Sequence, residues 1–359
     1  MRQHSGNKIK AVGVMSGTSL DGLDIAAVDF AFANNKWSFT IVDATTISYS
    51  EEWIEKLKNA HTLPGEKLME LNAEYGRYTG VEINSFIERL SYKPDLIASH
   101  GHTVFHQPEK GFTLQIGSGA EIAAITKTTT VADFRTTDIA LGGQGAPLVP
   151  VGDKLLFPEF KYCLNIGGFA NISFDKNGRR LAFDIGPANF ALNYFAEIQG
   201  FQYDENGELG RKGVINKQLL HKLNNLEYYT REAPKSLGRE WMERVFFPAI
   251  NSFPISVSEK MRTLYEHIAM QIAKATTSQG KLLITGGGAL NTFLIERIKH
   301  HAVAEIVIPD DTIINYKEAL IFAFLGVLRQ QNKINCLASV TGASKDSSGG
   351  VVFEYLTSF

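Results

Sequence analysis

Residues 13–24 read G-V-M-S-G-T-S-L-D-G-L-D. An apolar run, Ile9 to Val14, enters this stretch and another, Ile25 to Phe30, leaves it. The pattern spells strand, turn, strand. The turn holds Gly17, Thr18, Ser19, Leu20, Asp21 and Gly22, with neither lysine nor arginine. Such a turn still suits a phosphate, because backbone N–H groups can converge on an anion without a side-chain cation. Glycine allows the close approach, and Thr18 and Ser19 add hydroxyl donors. The carboxylates of Asp21 and Asp24 oppose an anion unless a divalent metal intervenes, which makes Asp21 the candidate Mg²⁺ ligand.

The opening grammar recurs. After the first hairpin, Asn34-Asn35 turns into a third strand, W-S-F-T-I-V-D-A. In the second half Tyr162 to Ile166 reads as a strand, Gly167-Gly168 as a turn and Asn171 to Phe174 as the return. Lys176-Asn177-Gly178 then feeds R-L-A-F-D-I. Between these copies, helical periodicity covers 51–60 and 65–90, strands follow at 95–99, 112–117 and 128–133, and a short helix covers 118–127. Later helices are expected near 189–199, 215–224, 239–251, 258–278 and 290–300, and from Tyr316 to Gln330. Strands K-L-L-I-T and E-I-V-I-P fall among them. Residues 141–150, L-G-G-Q-G-A-P-L-V-P, read as a junction. The expectation is an α/β chain of two duplicated domains, 1–150 and 151–359, sharing one cleft, with a C-terminal tail that packs back on the first.

Bulk properties narrow the function. Hydrophobic residues at 44%, charged residues at 21% and a net charge of -2 over 359 residues describe a soluble globular chain. They give no basis for nucleic-acid or membrane-surface binding. Cys163 and Cys336 lie far apart in apolar runs and read as buried free thiols. The start, M-R-Q-H-S-G-N-K, has no signal core and no window approaches about 20 apolar residues, so a cytoplasmic location is expected. The P-loop pattern G-x-x-x-x-G-K-[ST], the dinucleotide pattern G-x-G-x-x-G, G-x-S-x-G and C-x-x-C are all missing.

Three glycine-rich strand ends remain: 17–22, N-I-G-G-F-A-N at 165–171, and T-G-G-G-A at 285–289. Each alone is an ordinary turn; their order is the informative feature. Asp184, before G-P-A-N, either caps a helix starting near Asn189 or serves as a general base. Ser99-His100-Gly101-His102 with His106 carries H-x-H-x3-H spacing, which also occurs in metal sites. Arg135 and Asp138 are spaced like a surface ion pair. Glu318, opening the expected 316–330 helix, has a simple reading as a dipole-complementing acid.

The order of the glycine turns resembles the actin/hexokinase/sugar-kinase superfamily. More narrowly, V-M-S-G-T-S-L-D-G-L-D, A-S-H-G-H-T-V-F-H, T-V-A-D-F-R-T-T-D-I-A-L-G-G-Q-G-A-P-L-V-P, L-N-I-G-G-F-A-N-I and F-D-I-G-P-A-N look like the anhydro-N-acetylmuramic acid kinase family, from Gly13 to Ala343. The resemblance implies two actin/ribonuclease-H-like domains with ATP and substrate in the cleft between them. It implies ATP and Mg²⁺ as cofactors, with ATP held by Gly17, Thr18, Ser19, Leu20, Asp21, Gly22, Leu23 and Asp24. Asn165, Gly167, Gly168, Gly286, Gly287, Gly288 and Ala289 complete that nucleotide set.

By the same resemblance Asp184 is the catalytic base, and Ser99, His100, Gly101, Asp133, Arg135, Gly186, Asn189 and Glu318 form the sugar side. Arg135 would recognise the lactyl carboxylate. The implied reaction opens 1,6-anhydro-N-acetylmuramic acid with water and phosphorylates O6, in cell-wall recycling. The alternatives are a kinase of an ordinary free sugar and an ATP-switched binding protein. A homodimer is a further expectation. The chain departs from the family pattern at His102 (commonly Gln), Ser118 (Asp), Ile185 and Ala188 (D-T-G-P-G-N), and in the tail T-G-A-S-K-D-S-S-G-G.

Overall fold

The computed structural model describes residues 8–17 and 19–356. The chain divides into two compact units, one running to Phe157 and resuming at Tyr316, the other Pro158–Asn315.

In the first unit β1 (Ile9–Ser16) pairs antiparallel with β2 (Leu23–Ala33), with Ser16 opposite Leu23, so the chain reverses between them. β3 (Lys36–Ile47) continues the meander. Helices α1 (Glu51–Asn59) and α2 (Gly65–Arg89) carry the chain to β4 (Leu96–Ser99), parallel to β1. β5 (His102–Gln107) and β6 (Phe112–Ile116) make a separate hairpin. After α3 (Gly119–Thr126), β7 (Thr130–Ala132) lies parallel to β4. Among the described residues the sheet order is Val351–Phe353, β7, β4, β1, β2, β3.

β1 and β4 are buried on both faces, which explains their nearly unbroken apolar sequence. One face packs Val12, Val14 and Ile25 against Leu71, Tyr75 and Ile83 of α2. Against the other lies the stretch from Tyr316 to Gln330, where Phe324 meets Phe30 and Trp37 at 5.4 and 5.0 Å. Gly13 permits that approach: a Cβ there would stand 1.9 Å from the Ala319 carbonyl oxygen. Gly13→Ala should therefore destabilise by at least about 1–3 kcal/mol through overpacking. A thermal melt several degrees below wild type is expected, and an unchanged melt would contradict the packing.

The second unit repeats the order. β8 (Tyr162–Ile166), β9 (Phe169–Lys176) and β10 (Arg179–Pro187) form an antiparallel meander. β11 (Lys281–Thr285) and β12 (Glu305–Val307) extend it in parallel on the β8 side. The resulting order, β10-β9-β8-β11-β12, matches β3-β2-β1-β4-β7 of the first unit strand for strand. Its core joins Leu164, Ile166 and Ile284 to Leu192, Phe195, Leu264 and Ile268.

Two expectations need correction. The segment 141–150 is not the boundary: α4 (Thr136–Ala140) and α5 (Val149–Leu156) flank it, and the units divide after Phe157. The tail lies with the first unit, and so does the helix from Tyr316 onward that 151–359 had assigned to the second, because small residues at Gly13 and Gly326 let the helix sit on the β1–β4 face. That helix also begins earlier, at Asp311, where Asp310 accepts from the Ile313 N–H as a cap. Glu318 therefore lies two turns in, and dipole complementarity does not explain it.

Candidate active site

The first glycine turn hangs from the carboxyl end of β1, the edge at which open α/β sheets place ligands. Leu20 sits at φ 60° and Ser19 Oγ donates to Asp21 Oδ1 at 2.8 Å. Gly22 passes so close to β3 that a Cβ would lie 2.7 Å from the Ile47 carbonyl oxygen. Thr18 lies outside the described residues. Asp21 is exposed, a hard oxygen donor of the kind a divalent cation bridging to phosphate would use. Leu23 and Asp24 already belong to β2.

Asp24 Oδ1 accepts from Thr46 Oγ1 at 2.6 Å. Burial raises the Asp24 carboxyl to about 6; the Thr46 hydroxyl pulls it down, and Asp21 and Glu318 push it up. Because the folded value exceeds the ordinary 3.8, the stabilising contribution is complete below that value and is lost as pH rises through about 6. Asp24→Asn should thus stabilise the ligand-free protein by about 1–2 kcal/mol at pH 7–8, discounted for partial exposure. The gain should vanish near pH 4. Melting curves at both pH values check this, and a gain that persists at the lower pH would contradict it.

The loops after β4 and β7 meet in the same unit. Ser99, His100, Gly101 and Asp133 line a pocket of about 260 Å³ with Asn72, Gln115, Ser118 and Thr136. Asp133 holds φ 56° while its Oδ1 accepts from Thr136 Oγ1 at 2.6 Å, a backbone outlier of the kind that gathers at functional sites. Asn72 fixes the pocket wall by accepting from the Gly117 N–H at 2.8 Å. Asn72 and Gln115 carry no motif, and only the fold brings them here, while Thr136 lies in the same T-V-A-D-F-R-T-T run as Asp133.

Arg135 is not in that wall. Its Nε and Nη2 reach His100 Nε2 at 3.0 and 2.8 Å, and Nη1 donates to the Gly145 carbonyl at 2.7 Å. Burial lowers the guanidinium to about 10, with Glu318 and Cys336 opposing, so it stays charged at neutral pH. Burial and the Arg135 charge drive the His100 imidazole well below its ordinary value. His102 is also buried, is held near 4 by desolvation, and hydrogen-bonds Ser16 Oγ at 3.0 Å. Tyr49 donates to the same Ser16 hydroxyl at 2.8 Å, so His102 braces the root of the first turn. Among the described residues no group of three or more His, Cys, Asp or Glu could hold a metal ion, which removes the H-x-H-x3-H reading. Burial raises the Glu318 carboxyl, against Lys317 and Arg135.

In the second unit, the remaining glycine turns converge. Thr285 pairs with Asn165, and a Cβ on Gly286 would lie 2.6 Å from Asn165 Oδ1. The Gly167 and Gly168 carbonyls accept from the N–H groups of Ala188, Asn189 and Phe190. Asn189 Nδ2 donates to the Ile166 carbonyl at 3.3 Å. Asn189 and Gly287 line one pocket of about 400 Å³ with Asn193, Tyr203, Leu290 and Asn291. Gly288 packs on Ile166 and Ala289 is buried. Asn189, read with the sugar side, is thus placed beside the late glycine turn.

Asp184 stands at a β-bulge: Asn171 pairs with Asp184 but Ala170 with Gly186, leaving Ile185 as the extra residue. Bulges re-aim neighbouring side chains. Ile185 and Ala188, the departures around the base, are both core residues. A loop invisible to sequence reasoning holds the aspartate. Leu237 N–H donates to Oδ2 at 2.9 Å, the Asp184 N–H donates to the Lys235 carbonyl at 3.1 Å, and the Tyr228 hydroxyl donates to the Asp184 carbonyl. Among the described residues Oδ1 has no partner. Burial raises the carboxyl, with the Leu237 N–H opposing. Gly186 abuts Tyr229, whose hydroxyl a Cβ would meet at 2.8 Å.

No helix among the described residues is long and apolar enough to cross a membrane. A family model described as anhydro-N-acetylmuramic acid kinase matches residues 9–355. The chain is 34% identical over 367 residues to the anhydro-N-acetylmuramic acid kinase of Saccharophagus degradans, covering 95% of this chain and 98% of that protein. It is 36% identical over 373 residues to that of Mannheimia succiniciproducens, again covering 95% and 98%. Among solved structures, a ROK family glucokinase from Streptomyces griseus in complex with glucose and AMPPNP aligns over 88% of this chain and 98% of that chain, at 10% sequence identity and a TM-score of 0.41.

Proposed function

The chain belongs to the anhydro-N-acetylmuramic acid kinase family, and we propose that it hydrolyses the 1,6-anhydro bridge of that sugar and phosphorylates O6 in one reaction. It is an ATP-dependent sugar kinase of carbohydrate metabolism and peptidoglycan recycling. ATP's phosphates bind the turns at 17–22 and 165–168, and the nucleoside binds beside 286–289. Asp21 would hold Mg²⁺, which when bound supplies charge neutralisation on the phosphate oxygens.

Asp184 takes a proton from water through Oδ1. The water oxygen bonds to C1 and the C1–O6 bond breaks. The electron pair left on O6 forms the new bond to the γ-phosphorus, and ADP departs as the leaving group. One positioned base suffices, in place of the carboxylate pair of glycosidases.

The observation that carries this reading is Asp184 itself: a half-buried carboxyl with raised proton affinity, one oxygen fixed by Leu237 and the other without a partner among the described residues. ADP release with 1,6-anhydro-N-acetylmuramic acid, ATP and Mg²⁺, set against a panel of free sugars, tests it. Turnover confined to the anhydro sugar is expected. Faster turnover of a free sugar, or none on any sugar, would overturn it.

A further inference from the structure

Asp138 follows Arg135 by three residues, but it is not its surface partner. It is 1% exposed, and no hydrogen bond or ion pair joins it to the guanidinium among the described residues. Its carboxylate is filled from elsewhere. Oδ1 accepts from the Thr341 hydroxyl at 2.7 Å and the Cys336 thiol at 3.1 Å, and Oδ2 accepts from the Gly145 N–H at 2.7 Å. Gly143 lies so near that a Cβ would stand 2.2 Å from Oδ2.

The Gly145 peptide, gripped at its N–H, presents its carbonyl to Arg135 Nη1 at 2.7 Å. Arg135 in turn closes on His100 Nε2 through Nε and Nη2. A guanidinium only donates, so His100 Nε2 must accept, and the ring proton sits on Nδ1, 2.9 Å from the Gly101 carbonyl. His100 and Gly101 are part of the pocket wall.

We propose that Asp138 is a positioning residue of the sugar pocket: through the Gly145 peptide it aims Arg135, and through Arg135 it fixes the His100 tautomer and the Gly101 carbonyl. The segment from Cys336 to Thr341, some 200 residues away in sequence, then belongs to the same machinery. A carboxylate is required because three donors converge on it. An asparagine in its place turns an N–H₂ group toward one of those donors, and the chain of hydrogen bonds loses a link. The role assigned to the pocket rests on the proposed function; the geometry of the relay does not.

The test uses the full chain labelled with ¹⁵N-histidine, His100 being assigned by the signal missing from His100→Gln. In wild type His100 should hold the Nδ1–H tautomer without titrating from pH 5 to 8. In Asp138→Asn it should exchange between tautomers, the KM for the anhydro sugar should rise about tenfold or more, and the KM for ATP should stay within about twofold. Thr341→Val, which deletes one donor without changing charge, should shift both readouts the same way by less, and it carries the test if Asp138→Asn fails to fold. Folded variants with an unaltered His100 spectrum would overturn the proposal, as would equal rises in both KM values. If wild type turns over no anhydro sugar the proposed function fails, and the His100 spectrum still decides the relay.

Discussion

Asp184→Asn should lower turnover by about 10²–10⁴-fold, the range that a general base contributes, while ATP affinity stays within a few fold. The carboxamide is nearly isosteric, and its oxygen can still accept from the Leu237 N–H that holds Oδ2 at 2.9 Å. What it cannot do is take a proton from water. Because burial raises the Asp184 carboxyl above 3.8, the acid limb of kcat/KM in wild type should lie above the ordinary aspartate range. That limb should be absent from the residual activity of the variant. Single-turnover rates with ATP binding by calorimetry check both parts. Near-normal turnover by a folded Asp184→Asn protein would remove Asp184 as the base.

The second large effect concerns stability of the other unit's helical layer. Glu266, on the helix Val257–Ala275, is buried and receives Arg297 through Nε and Nη2 at 2.9 and 3.0 Å, Arg262 at 2.9 Å and His301 at 2.5 Å. Burial alone would raise this carboxyl; hydrogen bonds from Arg297, Arg262 and His301 outweigh it and hold the group at about 2. Glu266→Gln keeps the volume but leaves two guanidinium groups without their counter-charge. Breaking such a buried cluster costs about 3–5 kcal/mol, or roughly 6–20 °C in melting temperature for a unit of this size. The folded value lies below the ordinary 4.5. The stabilisation is therefore present above that value and lost as pH falls toward 2. Melts at pH 7 and pH 3 should show a wide gap that narrows at the lower pH; equal melts at pH 7 would contradict the cluster's role.

Local grammar made much of the fold legible. The G-V-M-S-G-T-S-L-D-G-L-D hairpin, the Gly167-Gly168 turn and the strand before Gly286 each announce themselves by apolar runs closed with glycine, and each is where the runs put it. The 311–330 helix was half legible: the missed signal was Asp310 as an N-cap ahead of Asp311. Its packing on the first unit was not readable from chain order, because it depends on what faces Gly13 and Gly326.

At the site, long-range partners account for what was missed. Arg135 and Asp138 look like a local pair, yet they meet only through the Gly145 peptide, while Asp138 reaches Thr341 and Cys336 and Arg135 reaches His100. Likewise nothing in Y-Y-T-R-E-A-P-K-S-L signals that this loop holds Asp184. Ile185, one of the departures from the family pattern D-T-G-P-G-N, is a bulged core residue.

The coupling of bridge hydrolysis to phosphoryl transfer is the central claim, and isotope placement reads it directly. A single turnover of 1,6-anhydro-N-acetylmuramic acid in H₂¹⁸O is quenched within one reaction time, with finished product incubated in the same water to correct for anomeric exchange. Expected is one ¹⁸O on C1 of the 6-phosphorylated product and none in its phosphoryl group. Phosphorylated sugar with an unlabelled C1, or label in the phosphoryl group, would contradict it.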